Sequence, residues 1–549
     1  MNKLIWPVAI LALALIIDLM IPLHKMQIDL LLVHAKIYTV DEAFSVVDAM
    51  AINKGKIIAT GNSEKLKKRY KATKIIDAEG ASVYPGFYDA HCHFYGYGLY
   101  SSYAQLEGTS SFEEVLDIVT KYADEHPDGW IIGRGWDQND WADTSFPDKK
   151  LLDELFPDRP VFLKRIDGHA ALVNQKAIDL VGIHTSSSVQ GGKLVHENGK
   201  LSGILIDNAV DLVQEVIPKP DTSQIENALI KANNDCLAVG LTTVDDAGLT
   251  LEVVRTIDRL QQAGSVKMKV YAMLNPSEEN RQFALEKGIY FTGKLHVRCF
   301  KFYADGALGS RGAQLLEPYA DDPGNTGLNL LDSNQLKAFA KVAIQKGYQL
   351  ATHCIGDKAN QHILDLYSQF LEPNSPRRWR IEHAQVVQPE DQKRFALLGI
   401  IPSVQPTHCT SDMYWAESRL GNQRIKYAYA YQDLLQSAGL VVDGSDFPVE
   451  DINPLYGFYA AVSRKDQRGY PKDGFQSENA LSRKQALKAM TIWAAYSNFE
   501  EKEKGSLTPG KAADFVILNR DIMTCDEQDI FSAGVLKTCI DGELVFEAR

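Results

Sequence analysis

Residues 82–93 read SVYPGFYDAHCH: a short apolar run, a Pro-Gly turn at 85–86, then a strand candidate ending on two histidines, His91 and His93. In a strand, residues two apart face the same side, so His91 and His93 project together while Cys92 faces away. A lone His-x-His is a weak metal signal. Here it follows Pro-Gly-Phe at the C-terminal end of a first strand, where it carries more weight. Similar short apolar runs ending in polar residues recur downstream: LTTVDD (241–246), KVYAML (269–274), VRCFKFYADG (297–306), YQLATHCIGD (348–357), RWRIEHAQ (378–385), IIPSVQPTH (400–408) and LVVDGSD (440–446). Most are separated by helix-like stretches such as SNQLKAFAKVAIQKG (333–347) and PEDQKRFALLG (389–399). Eight strands alternating with helices mean a parallel sheet, and this length favours a TIM (β/α)8 barrel over a doubly wound sheet. The interval from His93 to Gly240 is too long for one crossover. It reads as an insertion over about 94–238 with its own structure, placed where a barrel keeps its active-site loops.

The two ends of the chain share a different texture. IDLLLVHAKIYTVD (28–41) and AMAINKGKIIATG (49–61) are β-like, and the pattern returns only in KAADFVILNRD (511–521) and GVLKTCIDGELVFEA (534–548). One small β-sandwich formed by both ends accounts for this, with residues 26–83 and 505–549 flanking a barrel over 84–504. Ahead of it, Leu4 to Leu23 is almost wholly apolar and its 20 residues suffice to cross a hydrocarbon core of about 30 Å. Residues 1–25 therefore read as a membrane anchor helix or signal segment, and the protein as membrane-anchored or exported. No small-x-small cleavage site follows, and Asp18 fits poorly at membrane depth. The 549 residues carry 58 basic and 71 acidic side chains, a net charge of −13, which excludes nucleic acid as the main partner. Seven scattered Cys make neither a disulfide scaffold nor a zinc ribbon.

The chemistry lies in what ends the strands. The first ends at His91 and His93, the fourth at Lys301, the fifth at His353, the sixth at His383 and the eighth at Asp446. Four His, one Lys and one Asp thus converge on the C-terminal rim, where barrel enzymes keep their active sites. Neutral imidazoles with a carboxylate suit Zn²⁺, with Mn²⁺ or Fe²⁺ also fitting. A Lys is an odd member, since an ammonium only donates, but a buried Lys loses its proton readily.

The segments PGFYDAHCH, KFYADGALGSR, THCIGD, IEHAQ, DGSDFPV and GKAADFVIL together resemble the amidohydrolase superfamily of metal-dependent hydrolases, in particular its amidohydrolase-3 branch, which includes N-substituted formamide deformylases. The resemblance runs from about Ile28 to the end of the chain. It implies two divalent ions, most simply zinc, bridged by a CO₂-derived carbamate on Lys301. His91, His93, Lys301 and Asp446 would hold the first; Lys301, His353 and His383 the second. It further implies hydrolysis of a non-peptide C–N bond in an amide-like small molecule by a metal-activated hydroxide, with Asp446 as the proton shuttle. Hydrolysis of a cyclic amide, ester or carbamate at the same site, or a silent ligand-binding barrel, are the alternatives.

Around this set, His169 in RIDGHAALVN is open between a packing role and, by the resemblance, an approach to the substrate carbonyl as a catalytic or binding group. His408 after the seventh strand is open between substrate contact and surface loop. Trp136 and Trp141, in GWIIGRGWDQNDW, are candidates to wall an apolar substrate pocket. Ser445, Asp305 and Arg311 follow ligand residues closely and are candidates to orient them. A homodimer is one assembly the sequence allows.

Overall fold

The computed structural model describes residues 25–548. The barrel strands are β1 Phe87–Cys92, β2 Leu241–Leu249, β3 Lys269–Leu274, β4 Leu295–Tyr303, β5 Gln349–Cys354, β6 Arg380–His383, β7 Ile401–Val404 and β8 Val442–Asp443. Each pairs in parallel with the next, in chain order. β8 and β1 form no ladder of their own. They are joined by two backbone hydrogen bonds, from Asp446 N–H to the His91 carbonyl (2.7 Å) and from His93 N–H to the Phe447 carbonyl (2.8 Å). Gly444 makes this approach possible, because a Cβ there would lie 2.3 Å from His91 N.

Eight helices follow the strands: α1 Thr222–Ala238, α2 Leu251–Gln262, α3 Glu278–Lys287, α4 Ser333–Lys346, α5 Asp357–Tyr367, α6 Pro389–Leu398, α7 Tyr431–Ala438 and α8 Pro454–Ser463. Their limits follow from local sequence. Asp221 and Gln224 form a capping box at the start of α1, and Asp332 accepts from two N–H groups at the start of α4. Helix α6 opens on Pro389 and closes on Gly399 in the left-handed region. In α2, Val253, Val254, Ile257 and Leu260 fall on one face and bury it against the sheet. Helix α1, counted with the insertion on sequence grounds, contributes Ile225, Leu229, Cys236 and Leu237 to the same core and serves as the barrel's first helix.

The insertion builds a six-stranded sheet in the order 192–197, 200–207, 170–173, 161–165, 131–136, 104–105, with its own core. The chain ends form two further sheets. One is wholly N-terminal, in the order 56–61, 49–53, 26–33, 70–77. The other joins the C-terminal strands 543–547, 535–540 and 515–518 to the N-terminal 82–85, 36–38 and 46–47, with Ile517 opposite Val83. Leu30, Leu32, Met50 and Ile52 face the second sheet, while Leu31, Val33, Ala49 and Ala51 pack under Leu66 and Tyr70. Burial on both faces explains why this strand reads as an unbroken apolar run.

The anchor expected over Leu4–Leu23 lies outside the described residues. Among those described, no helix is long and apolar enough to cross a membrane. The membrane-anchored or exported placement expected from the sequence is corrected to this extent: residues 25–548 contain no membrane-spanning helix.

Candidate metal centre

At the C-terminal mouth of the barrel, one potential ligand atom from each of His91, His383 and Asp446 lies within 4.8 Å of the others. His93 Nε2 stands 3.2 Å from Asp446 Oδ1, and His91 Nε2 stands 3.6 Å from the same oxygen. The His353 ring centre is 4.4 Å from that of His383. Lys301 Nζ lies 3.4 Å from His91 Nε2 and 4.3 Å from the centre of the Tyr303 ring. The six residues singled out by their strand-end positions therefore meet at one place.

The backbone route differs from simple strand alternation at two of them. β8 ends at Asp443, and Asp446 reaches the centre from a turn with φ +62° rather than from an extended strand. His383, the last residue of β6, has φ +70°. Arg380 and Glu382 face the barrel interior, and the left-handed residue swings the His383 ring back to the mouth. Two non-glycine residues held in this sparsely populated region at one site are strain retained for placement.

Three of the four ligand-type imidazoles are oriented from behind. His91 Nδ1 bonds to the Glu382 carboxylate, His383 Nδ1 lies 2.7 Å from Gln405 Oε1 and His93 Nδ1 lies 3.3 Å from the Ala247 carbonyl. This turns the Nε2 lone pairs toward the centre. His353 Nε2 and Asp446 Oδ1 are buried and lack any hydrogen-bond partner. Buried polar atoms without partners, in a converging set of neutral nitrogens and one carboxylate, fit divalent metal.

The electrostatics agree. Burial, helped by Lys301, lowers His91 to about 4. Burial also holds His353 and His383 well below the ordinary histidine range, so both stay neutral. Burial lowers the Lys301 ammonium as well, and no described carboxylate stands within ion-pair distance of it. For Asp446, burial acts upward but the His93 and His91 imidazoles pull harder, holding it well below the usual carboxylate range.

Behind the centre lies a polar network inside the barrel. Arg380 bonds both oxygens of Glu382, donates to Asp245 (2.6 Å) and Asn498 (3.2 Å), and reaches the Ala90 carbonyl (2.5 Å). Burial pushes the Glu382 carboxyl up, but Arg380 and His91 outweigh it and keep it ionised. Asp89 at the foot of the His-x-His accepts from Ser445 Oγ at 2.6 Å, which ties β1 to the loop bearing Asp446. Sequence reading missed Glu382 and Arg380; two charged residues two apart in an otherwise apolar strand were the available signal.

The insertion covers the mouth and brings His169. The strand 161–165 ends in a tight Asp167-Gly168-His169 turn, in which His169 N–H donates to Asp167 (3.0 Å). His169 Nδ1 lies 2.8 Å from Asp207 Oδ1 at the end of the neighbouring hairpin. A Cβ at Gly306 would lie 2.4 Å from that carboxylate, so the glycine of the KFYADGALGSR segment makes room for Asp207. Burial acts to lower His169, but the Asp207 hydrogen bond prevails and raises it. The His169 ring sits 5.0 Å from that of His353.

A cavity of about 330 Å³ opens over the centre, lined by His93, His169, Lys301, His353, His383 and Asp446 among others. His408 also lines it, with Nε2 3.8 Å from Asp446 Oδ2. Trp136 and Trp141 do not. Both are buried in the insertion's own core, where their indole N–H groups donate to the Leu163 and Thr109 carbonyls (2.8 and 2.9 Å). The aromatic wall is supplied instead by Tyr303 and Trp415. Asp305 accepts three backbone N–H groups from Gln314, Ile355 and Gly356, and its Oδ1 lies 3.7 Å from His353 Nε2. Arg311 pairs with Asp321 (2.9 Å), away from the centre.

The chain is similar to known proteins over most of its length. The chain is 35% identical to Protein LONG AFTER FAR-RED 3 of Arabidopsis thaliana, over 94% of this chain and 91% of that protein. It is 26% identical to the N-substituted formamide deformylase of Arthrobacter pascens, over 94% and 98% respectively. The crystal structure of a metal-dependent hydrolase from Pyrococcus horikoshii OT3 superposes with a TM-score of 0.75 at 28% identity, covering 91% of this chain and 99% of that one. Residues 74–546 match the amidohydrolase family profile, and the chain belongs to that family.

Proposed function

We propose that this protein hydrolyses a non-peptide C–N bond in an amide-like small molecule bound in the cavity over the barrel mouth. The observation that carries the reading is the convergence of His91, His383 and Asp446, with the buried amine of Lys301 3.4 Å from His91 Nε2 and no described carboxylate within ion-pair distance of it. His91, His93, Lys301 and Asp446 would hold one divalent ion, and Lys301, His353 and His383 a second, with Lys301 acting as its carbamate. Zinc is the simplest ion for this donor set, and manganese or iron also suit it. Such ions, when bound, supply Lewis acidity and acidify coordinated water. The deformylase activity named for the Arthrobacter relative supports an amide substrate.

The remaining roles belong to side chains of this chain. Asp446, kept ionised by its neighbours, accepts a proton from the attacking water on one oxygen and delivers it to the departing nitrogen. His169, fixed by Asp207, presents Nε2 to the cavity, where it can hydrogen-bond the substrate carbonyl. His408 and Trp415 shape the other side.

The test is turnover of a panel of N-formyl and N-acyl amines by metal-loaded protein, alongside Lys301→Ala. Wild type is expected to release amine. The variant is expected to lose activity and regain part of it with an added short carboxylic acid that can stand in for the carbamate. No amine release across the panel, with metal in place, overturns the reading. A fully active Lys301→Ala protein overturns the role of Lys301.

A further inference from the structure

A second cavity, of about 540 Å³, adjoins the one over the metal centre and shares His93, Asp167, His169, Tyr303 and Val449 with it. Its far wall carries Arg134 and Lys164, beyond which a third cavity of about 340 Å³ continues past the same two side chains. Arg134 comes from the insertion strand 131–136 and is only 8% exposed. No described carboxylate stands within ion-pair distance of it. One terminal nitrogen donates to the Pro448 carbonyl (2.7 Å), the other to the Ile166 carbonyl (2.8 Å), and Nε has no partner. Three of its five N–H groups are therefore uncommitted. Lys164 Nζ has only the Gln214 amide oxygen, at 3.1 Å, and likewise no carboxylate.

A guanidinium removed from water without a counter-charge is costly, and the cost is met when a ligand supplies the anion. The acids bordering this second cavity do not supply it. Asp167 pairs with Arg165 (2.6 Å), Asp207 bonds His169 (2.8 Å), and Asp332 caps the exposed start of α4. Asp211, at the exposed rim, makes no hydrogen bond or ion pair through its side chain with any described residue; partial burial raises its carboxyl, with nearby Lys164 opposing the rise without contact. The first cavity is lined differently: its Arg165 is committed to Asp137 and Asp167, and burial raises the carboxyls of Glu107, Asp140, Asp412 (to about 7) and Glu450 (to about 8). The cationic donors free to receive an anionic group of the substrate, those of Arg134 and Lys164, thus lie on the second cavity's side of the centre.

We propose that the second cavity binds an anionic group of the substrate, a carboxylate held by Arg134 and Lys164, with the scissile amide at the shared wall beneath His93 and His169. This rests on the amide-hydrolase reading and narrows it to carboxylate-bearing amides. Arg134 has a further part, since its two carbonyl contacts clasp the loops that present Asp446 and His169. Lys164, which makes no such clasp, is the cleaner site to vary.

The experiment uses metal-loaded enzyme and N-formyl ω-amino acids of graded chain length, each paired with its primary carboxamide. At one chain length or more, kcat/KM for the acid is expected to exceed that for the carboxamide at least tenfold. Lys164→Gln is expected to remove most of that preference, chiefly through KM, and Arg134→Lys, which keeps the charge but not the fork, to remove part of it. Equal turnover of acid and carboxamide at every length overturns this inference and leaves the amide-hydrolase reading standing. Should no member of the panel be hydrolysed, calorimetric binding of the same acids to metal-loaded protein separates the two. Binding weakened at least tenfold in Lys164→Gln supports the carboxylate site without the hydrolase reading, and absence of binding to wild type overturns it.

Discussion

Asp446 and Glu382 are both buried carboxylates beside His91, yet their surroundings give them different work. Asp446 faces the cavity with one oxygen unpartnered, so it can touch a metal and still accept a proton. Asp446→Asn keeps its shape and one donor oxygen but ends proton transfer. Its kcat is expected to fall by roughly 10²–10⁴-fold while metal content, measured by elemental analysis, is largely retained. Wild-type kcat in that variant would move the proton to another group, with His169 next in line. Glu382 faces away from the cavity, with its oxygens on Arg380 and His91. Glu382→Gln weakens the bond that orients His91. Its metal dissociation constant, measured by competition with a chelator, is expected to rise about 10–100-fold. An unchanged constant would mean that the Arg380–Glu382 pair only fills the barrel interior.

At the scale of elements, β4, β5 and β6 were legible because each carries, at or near its end, a residue that an apolar strand has no packing reason to hold: Lys301, His353, His383. The His-x-His of β1 and its Pro-Gly turn were enough to place the first strand. Asp446 was found for the wrong geometric reason, since alternation assumed a strand extending three residues beyond where β8 ends. The left-handed turn that delivers it leaves no trace in an Asp-Gly-Ser-Asp string. Trp136 and Trp141 were misassigned because a Trp-rich segment in an insertion reads alike whether its rings line a pocket or a separate core. The pairing of His169 with Asp207 was invisible, because it depends on how two hairpins of the insertion register. Closure of β8 against β1 gives a direct test. Gly444→Ala places a methyl carbon against His91 N, and relaxing that overlap is expected to cost about 1–3 kcal/mol in chemical denaturation. Unchanged stability would show that the β8–β1 seam is slack.

At the scale of the whole molecule, the β-domain made by both chain ends is fastened to the bottom of the barrel by charge as well as by packing. Lys269, the first residue of β3, donates to Asp514 (2.8 Å) and Asp541 (2.7 Å) of the C-terminal strand region, and Lys269 and Asp514 are almost fully buried. Lys269→Met leaves Asp514 buried without its cation, a loss expected to cost about 3–5 kcal/mol in urea unfolding. A double variant with Asp514→Leu as well should recover much of it, whereas equal loss in both would mean that the pair contributes through packing alone. That the two ends share one sheet was legible from matching β-texture at opposite ends of the chain. This buried ion pair was not, because nothing local distinguishes Lys269 from any lysine at the start of a strand.

The account rests on the claim that the residues gathered at the barrel mouth hold catalytic metal, and elemental analysis of the protein, with turnover recorded on the same sample before and after chelation, tests it most directly. The account predicts about two divalent ions per chain in active protein, with activity lost on chelation and restored by added ion. Full turnover by protein that carries no divalent ion would contradict it.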